Sequence, residues 1–201
     1  MSVFREQHVS GDLVLASTSP YRRALLARLG VPFRCLAPRF EESSVSIIGK
    51  DPGEAAELLA RGKAESIAAA EPAATVIGCD QLVSFEGRIL GKPGTMERAI
   101  EQLETMAGRS HDLITALIVI QGNESVCHVD STRLWMRPLT RPELKRYAAH
   151  DQPVDCAGSY KLEERGIVLF EKIETQDHTA IIGLPLIALV GFLRQFGFRV
   201  P

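Results

Sequence analysis

Cysteine is scarce and scattered in this chain. Cys35, Cys79, Cys127 and Cys156 are its only 4, and no two form a Cys-x-x-Cys pair. That spacing excludes a disulfide framework or a zinc module and reads as free thiols in a reducing compartment. Basic charge is not in excess either: 23 Lys and Arg stand against 25 Asp and Glu, a formal net charge of −2. A nucleic-acid surface calls for a strongly basic face, so no nucleic-acid partner is expected. No apolar run is long enough to cross a bilayer. The longest, 181–198, is broken by Gly183, Pro185, Gly191, Arg194 and Gln195. Leu186, Leu189, Val190 and Leu193 recur there at one-face helical spacing, which predicts a core-packed helix and no membrane association. The opening residues, MSVFREQHVSGD, lack the basic-then-apolar build of a signal peptide, so a cytoplasmic protein is expected.

Several catalytic signatures are missing as well. There is no GxGxxG fingerprint, no GxSxG elbow and no HExxH. His8, His111, His128, His150 and His178 show no ligand spacing. Lys92, in GKPG, resembles the tail of a phosphate-binding Walker loop. However, Gly91 follows Gly87 too closely, and Pro93 stands where a hydroxyl residue is required. Cys79, beside Asp80, reads as a small residue on the opposite face of a strand rather than a nucleophile.

What is present is an ordinary globular composition, 45% hydrophobic and 24% charged over 201 residues. One domain over residues 1–201 is expected, with a sizeable core. Strands are predicted at 13–16, about 33–37, 75–85, 112–120, 126–136 and 166–174. Helices are predicted at about 20–29, from Asp51-Pro52-Gly53-Glu54 to about Ala70, from a Thr95 cap to about Ala107, after a Thr140–Glu143 capping box, and at the C-terminal end. The alternation predicts a mixed α/β fold: one elongated sheet flanked by helices, with a cleft.

Within that frame, LVLASTSPYRR is the most informative stretch. A buried strand meets a Ser-Thr-Ser-Pro turn, and the following helix carries Arg22 and Arg23 in its first turn. That placement opposes the helix dipole. It becomes sensible if a phosphate sits there, since helix N-termini and arginines both bind anions; a solvated surface turn is the alternative. Asp80 interrupts the apolar strand VIGCDQLV. A carboxylate there is costly unless paired, metal-bound or lining a cleft, or unless the strand is an edge or bulge. Taken singly, Glu41 and Glu42 read as a solvated acidic loop, and Lys63 as an exposed helix lysine. Taken together, Arg22, Arg23, Lys63 and Lys92 with Glu42 and Asp80 suit a polyphosphate plus a hard divalent cation.

At these residues the chain resembles the Maf family. LASTSPYRRALL, PRFEE, the lysine of ARGKAES, GCDQLV, GKP, DCAGSYKLEERGI and IIGLPL occur in that family's order and cover nearly the whole chain. Gln after the Asp of GCDQ resembles the 7-methyl-GTP pyrophosphatase branch; the dTTP/UTP branch has Thr there. The resemblance implies two lobes with a central cleft, a fold related to inosine triphosphate pyrophosphatases, and a cytoplasmic enzyme that is frequently a homodimer. It implies hydrolysis of 7-methyl-GTP to the monophosphate and pyrophosphate with Mg²⁺ or Mn²⁺, keeping modified nucleotides out of nucleic acids. Two other readings are a pyrophosphatase for dTTP or UTP and a nucleotide-binding regulator of cell division. By motif, Asp80 matches the proton acceptor, and Ser17, Arg23, Lys63 and Lys92 match polyphosphate-binding positions. Glu42 matches an acidic position near the metal, and Tyr21, Gln81 and Glu163 match positions credited with base selectivity. Two departures stand out: Thr115-Ala116 where the family often has Thr-Gly, and Tyr21 where a bulkier aromatic is usual, which implies weaker stacking.

Overall fold

The computed structural model describes residues 11–200, so most of the N-terminal segment read for a targeting signal lies outside the described residues. Among them, no helix is long and apolar enough to cross a membrane. The chain runs β1 (Leu13–Ala16), α1 (Pro20–Ala27), β2 (Arg34–Leu36), α2 (Pro52–Ala68), β3 (Thr75–Phe85), β4 (Arg88–Leu90) and α3 (Met96–Met106). It continues through β5 (Ser110–Gln121), β6 (Glu124–Met136), α4 (Arg141–Asp151), β7 (Phe170–Glu174) and α5 (Leu186–Gln195). The strands form one sheet of order β2-β1-β3-β5-β6-β7, with β4 paired to β3. β1 is parallel to β2 and β3, and the other pairs are antiparallel. This is the mixed α/β architecture expected.

Helix starts follow the capping chemistry in the sequence. Asp51 Oδ1 accepts from Gly53 N at 2.8 Å, with Pro52 opening α2, and Thr95 accepts from Arg98 N at 3.3 Å. Thr140 and Glu143 close a capping box on α4. Three apolar clusters then assemble the layers. α1 and α5 cover one face of β1, β3 and β5 through Leu25, Leu26, Leu189 and Leu193. α2 covers the other face with the small stripe Ala56, Ala60 and Ala64. The third cluster lies under α3 and α4, where Leu103, Met106 and Leu144 pack on Val83, Leu113, Leu134 and Met136.

Two expectations change. Residues 166–169, predicted as the start of a strand, form a 3-10 turn over Arg165–Leu169, and the strand begins only at Phe170. Gly166 N donates to Lys161 O at 2.8 Å and Arg165 N to Asp151 Oδ2 at 3.2 Å, so the backbone is curled where its β-branched residues read as extended. β4 was not foreseen. It folds back on β3 across Glu86 and Gly87, whose φ angles of 50° and 74° make a tight hairpin turn.

His111 gives the fold a pH dependence. It is 2% exposed, its Nε2 lies 2.9 Å from the Tyr160 hydroxyl, and its Nδ1 has no partner. Burial pushes its imidazole down from 6.5 to about 4. A depressed histidine pKa leaves its stabilisation intact above the unfolded value and removes it as pH falls towards the folded one. Between pH 6.5 and 4 the group therefore costs about 3 kcal/mol of stability. Urea denaturation across that window should show a steeper acid loss in the parent than in His111→Gln; parallel curves would contradict this.

Candidate active site

The site opens where β3 changes neighbours. On one edge β3 pairs with β1 up to Ile77 and with β4 from Val83 onward. Residues 78–82 have no strand on that edge, and Asp80 and Gln81 sit in the gap. A cleft of about 770 Å³ opens there, lined from one side by Ser17, Tyr21, Arg22, Glu42 and Lys63, and from the other by Leu90, Lys92, Cys156, Tyr160 and Glu163. The pleat sends Asp80 to the α2 face and Gln81 to the α1/α5 face.

Gly78 brings α2 close enough for Lys63 to reach Asp80. A Cβ on Gly78 would stand 2.4 Å from Ala60 O and 2.7 Å from the Ala64 Cβ. The helix backbone thus lies on the strand two residues before Asp80. Lys63, between those alanines, directs its ammonium into direct contact with Asp80 Oδ1 and to 2.7 Å from Glu42 Oε1. Glu42 begins a 3-10 turn, Glu42–Ser44, in which Ser43 and Ser44 donate to Glu41. The two adjacent glutamates are therefore separated in role: Glu41 braces the turn and Glu42 meets Lys63.

Burial shifts these groups unequally. Desolvation raises the Asp80 carboxyl above its ordinary value, against the pull of Lys63 and Arg22. Hydrogen bonding to Lys63 lowers Glu42. Desolvation works against the Lys63 ammonium, but Asp80 and Glu42 outweigh it and hold its pKa above normal. The group is a charged ammonium shared by two carboxylates.

On the β1–α1 side of the cleft, the turn chains its hydroxyls. Ser17 Oγ accepts from Ser19 N at 3.1 Å, and Ser19 Oγ caps α1 at Arg22 N. Arg22 turns into the cleft and donates Nε to Gly183 O at 2.9 Å. Arg23 is exposed and lines a separate shallow hollow with Ala27, Val31 and Phe33. Lys92 lines the far wall, its charge also acting on Glu42.

On the other side, the Tyr21 hydroxyl donates to Glu164 Oε1 at 3.0 Å, a bond that pushes the phenol up to about 12. Burial raises the neighbouring Glu163. Gln81 Nε2 donates to Thr115 Oγ1, Ala180 O and Ile181 O. Those carbonyls are held by Asp177, whose Oδ1 takes Thr179 N and whose Oδ2 takes Ile187 N, each at 2.8 Å. Cys79 donates to Gly183 O from the same face as Gln81, opposite to Asp80, and burial raises its thiol to about 11, as suits a structural cysteine.

The family model described as Maf-like protein matches residues 12–196. The chain belongs to the Maf family. A 7-methyl-GTP pyrophosphatase of Bdellovibrio bacteriovorus is 53% identical over 178 residues, 89% of this chain and 93% of that one. A 7-methyl-GTP pyrophosphatase of Syntrophotalea carbinolica is 46% identical over 195 residues, 94% of this chain and 96% of that one. Among solved structures, a HAM1 protein from Coxiella burnetii covers 92% of this chain and 98% of its own at 12% identity. Its TM-score of 0.46 is too low to bear on the site.

In this Maf protein the cleft gathers Ser17, Tyr21, Arg22, Glu42, Lys63, Asp80, Gln81, Lys92 and Glu163, and leaves Arg23 outside. Sequence reasoning missed Thr115, Glu164, Asp177 and the 180–183 carbonyls. Asp177 was findable only in part: α5 starts after Pro185 with no adjacent side-chain cap, and its caps come from residues seven and ten positions upstream. Among the described residues no group of three or more His, Cys, Asp or Glu could hold a metal. Glu42 and Asp80 still fit a hard cation such as Mg²⁺, which uses one or two protein carboxylates and fills its shell with water and phosphate oxygens.

Gly78→Ala should force α2 off β3, costing about 1–3 kcal/mol of stability by overpacking and lowering turnover through Lys63. Gly191→Ala in α5, with nothing within 4 Å of the new Cβ, is the control. Equal melting temperatures and rates for the two variants would refute the close-approach argument.

Proposed function

We propose that this chain is a nucleoside triphosphate pyrophosphatase that hydrolyses 7-methyl-GTP to the nucleoside monophosphate and pyrophosphate, removing a modified nucleotide before it reaches nucleic acid. The observation that carries this is the Lys63 ammonium held between Asp80 and Glu42 at the floor of a cleft with cations along its walls. The names of the similar relatives supply the base and the reaction. The reading covers residues 1–201 as one unit, a cytoplasmic enzyme of free nucleotides, alone or as a homodimer.

In this mechanism Asp80 takes the proton from the water that attacks the α-phosphorus. Burial makes it a stronger proton acceptor than a carboxylate in water. Lys63 holds that carboxylate in place and neutralises phosphate oxygens, while Arg22, Lys92 and Ser17 bind the β- and γ-phosphates that leave. A divalent cation such as Mg²⁺ or Mn²⁺ on Glu42 and Asp80 supplies further charge neutralisation along the polyphosphate. The arrangement is electrostatic throughout, as phosphoryl chemistry demands.

Asp80→Asn should lower kcat by about 10²–10⁴-fold with nucleotide binding retained; a variant with most of its activity would remove Asp80 from the mechanism. The raised carboxyl also sets the acid limb of kcat/KM. Activity should fall as pH drops through a value above 3.8, and the limb should vanish in the residual activity of Asp80→Asn. Arg22→Ala and Lys92→Ala should each cost about ten-fold or more in kcat/KM, since a charge-assisted hydrogen bond is worth roughly 1.5–3 kcal/mol. Arg23→Ala should cost far less, and a reversed order would move the phosphate cradle to the outer face of α1.

Base preference follows from the other wall. The N7-methylguanine ring is cationic and gains by ~0.5–2 kcal/mol from stacking on an aromatic face such as Tyr21. Its N–H edge suits the Glu163 acceptor, and charge assistance strengthens such a bond. A panel of 7-methyl-GTP, GTP, dTTP and UTP, with and without Mg²⁺ or Mn²⁺, tests this by pyrophosphate release. The expected result is a preference for 7-methyl-GTP that shrinks in Glu163→Gln. Equal kcat/KM for 7-methyl-GTP and GTP would remove the specificity, and no release from any nucleotide would leave a binding protein.

A further inference from the structure

Gln81 faces Thr115 across the β3–β5 ladder, and its side-chain nitrogen meets three oxygens. These are Ala180 O at 2.9 Å, Thr115 Oγ1 at 3.0 Å and Ile181 O at 3.1 Å. The Thr115 hydroxyl spends its one proton on Ala180 O at 3.0 Å, so towards Gln81 it is an acceptor. An amide nitrogen only donates and an amide oxygen only accepts. Turning the Gln81 amide over would set its oxygen against two carbonyls and an acceptor hydroxyl, and would take the amide proton from Ile181 O, while Ala180 O kept only that of Thr115. The nitrogen is therefore fixed inward. Among the described residues Oε1 has no partner, it is not sealed from solvent, and Gln81 lines the cleft, so the oxygen is the end presented there.

We propose that Thr115, with the carbonyls of residues 180 and 181, makes Gln81 a one-way acceptor, so that the site selects bases presenting N–H donors to it. This rests on the nucleotide reading above. A freely turning glutamine would read donors and acceptors alike and discriminate little. A fixed one accepts from the N1–H or the exocyclic amine of guanine and repels a carbonyl or ring nitrogen presented at that spot. Thr115 is 1% exposed and does not line the cleft. It is a positioning residue, acting on the base only through Gln81.

The test uses the Asp80→Asn protein, so that ligands survive, and measures equilibrium binding of 7-methyl-GTP and two analogues. 7-Methylinosine triphosphate lacks the exocyclic amine, and 1,7-dimethyl-GTP lacks N1–H. 7-Methyl-GTP should bind about ten-fold or more tightly than at least one analogue, because a site built around a donor rejects a ligand without it. Adding Thr115→Val should close that gap to about three-fold or less, while Thr115→Ser should keep it. In the free proteins, the Gln81 side-chain amide protons should exchange slowly with Thr or Ser at 115 and fast with Val. That readout needs neither ligand nor turnover, and melting temperatures report on folding. An unchanged gap in Thr115→Val, equal affinity for all three nucleotides, or fast exchange in the Thr115 protein would each overturn the proposal. Pyrophosphate release by the parent enzyme is scored separately. Donor preference without release would sink the pyrophosphatase reading and leave Thr115 its role, and release without donor preference would do the reverse.

Discussion

Two ionised carboxylates in one cleft repel each other, and Lys63 is the cation set between them. Its side chain is 12% exposed, and it bridges Asp80, from the middle of β3, and Glu42, from the loop before α2. Three separate pieces of chain meet at one ammonium. Burying Lys63 or Asp80 alone costs several kcal/mol, so these two hold only while paired, with the exposed Glu42 bracing the ammonium from outside. That requirement reaches outward. It needs α2 seated directly on β3, hence no side chain at Gly78 and only alanines at 60 and 64. It needs Glu41 to brace the turn so that Glu42 points inward. It needs the edge of β3 free over 78–82, which is why β1 ends early and β4 begins late.

A second organiser lies on the opposite face of β3. The 179–186 segment has little regular structure, yet its carbonyls accept from both walls of the site: Ala180 and Ile181 from Gln81, Gly183 from Arg22 and Cys79. Asp177 makes this segment stiff by capping α5 and Thr179 together. The Gln81 amide and the Arg22 guanidinium are thus referenced to the same few peptide groups. Their spacing is set by backbone rather than by long side chains, which suits a substrate whose base and phosphates must both be in register with Asp80.

Much of this was legible in the sequence, because local chemistry carries it. Asp80 stood out as a charge inside an apolar strand, and the caps at Asp51, Thr95 and Thr140 depend only on neighbours. The choice between Arg22 and Arg23 was not legible. Adjacent helix residues point about 100° apart, so which one enters the cleft depends on how α1 is rotated, and that is decided by Leu25 and Leu26 packing below it. Thr115 and Asp177 were hidden for a related reason. Their partners lie far away in the chain, and a Thr in a strand or an Asp in a loop carries no local mark of such bonds. The 3-10 turn at 165–169 was misread as strand because Ile167 and Val168 favour extended backbone, whereas Gly166 and Asp151 hold that backbone curled.

Charge in the cleft is balanced for a ligand that brings much of its own. Lys63 offsets one of the two charges on Asp80 and Glu42, and Arg22 and Lys92 along the walls have no carboxylate within ion-pair distance among the described residues. Arg22 and Lys92 are thus left to pair with a polyanion that enters the cleft. Base recognition then has only to discriminate. Under the proposed reading a fixed acceptor at Gln81 and the exposed acid at Glu163 can do this cheaply, because a mismatched base leaves them unpaired while the phosphates hold it in place. Asp80 stands among these groups, in the gap of β3.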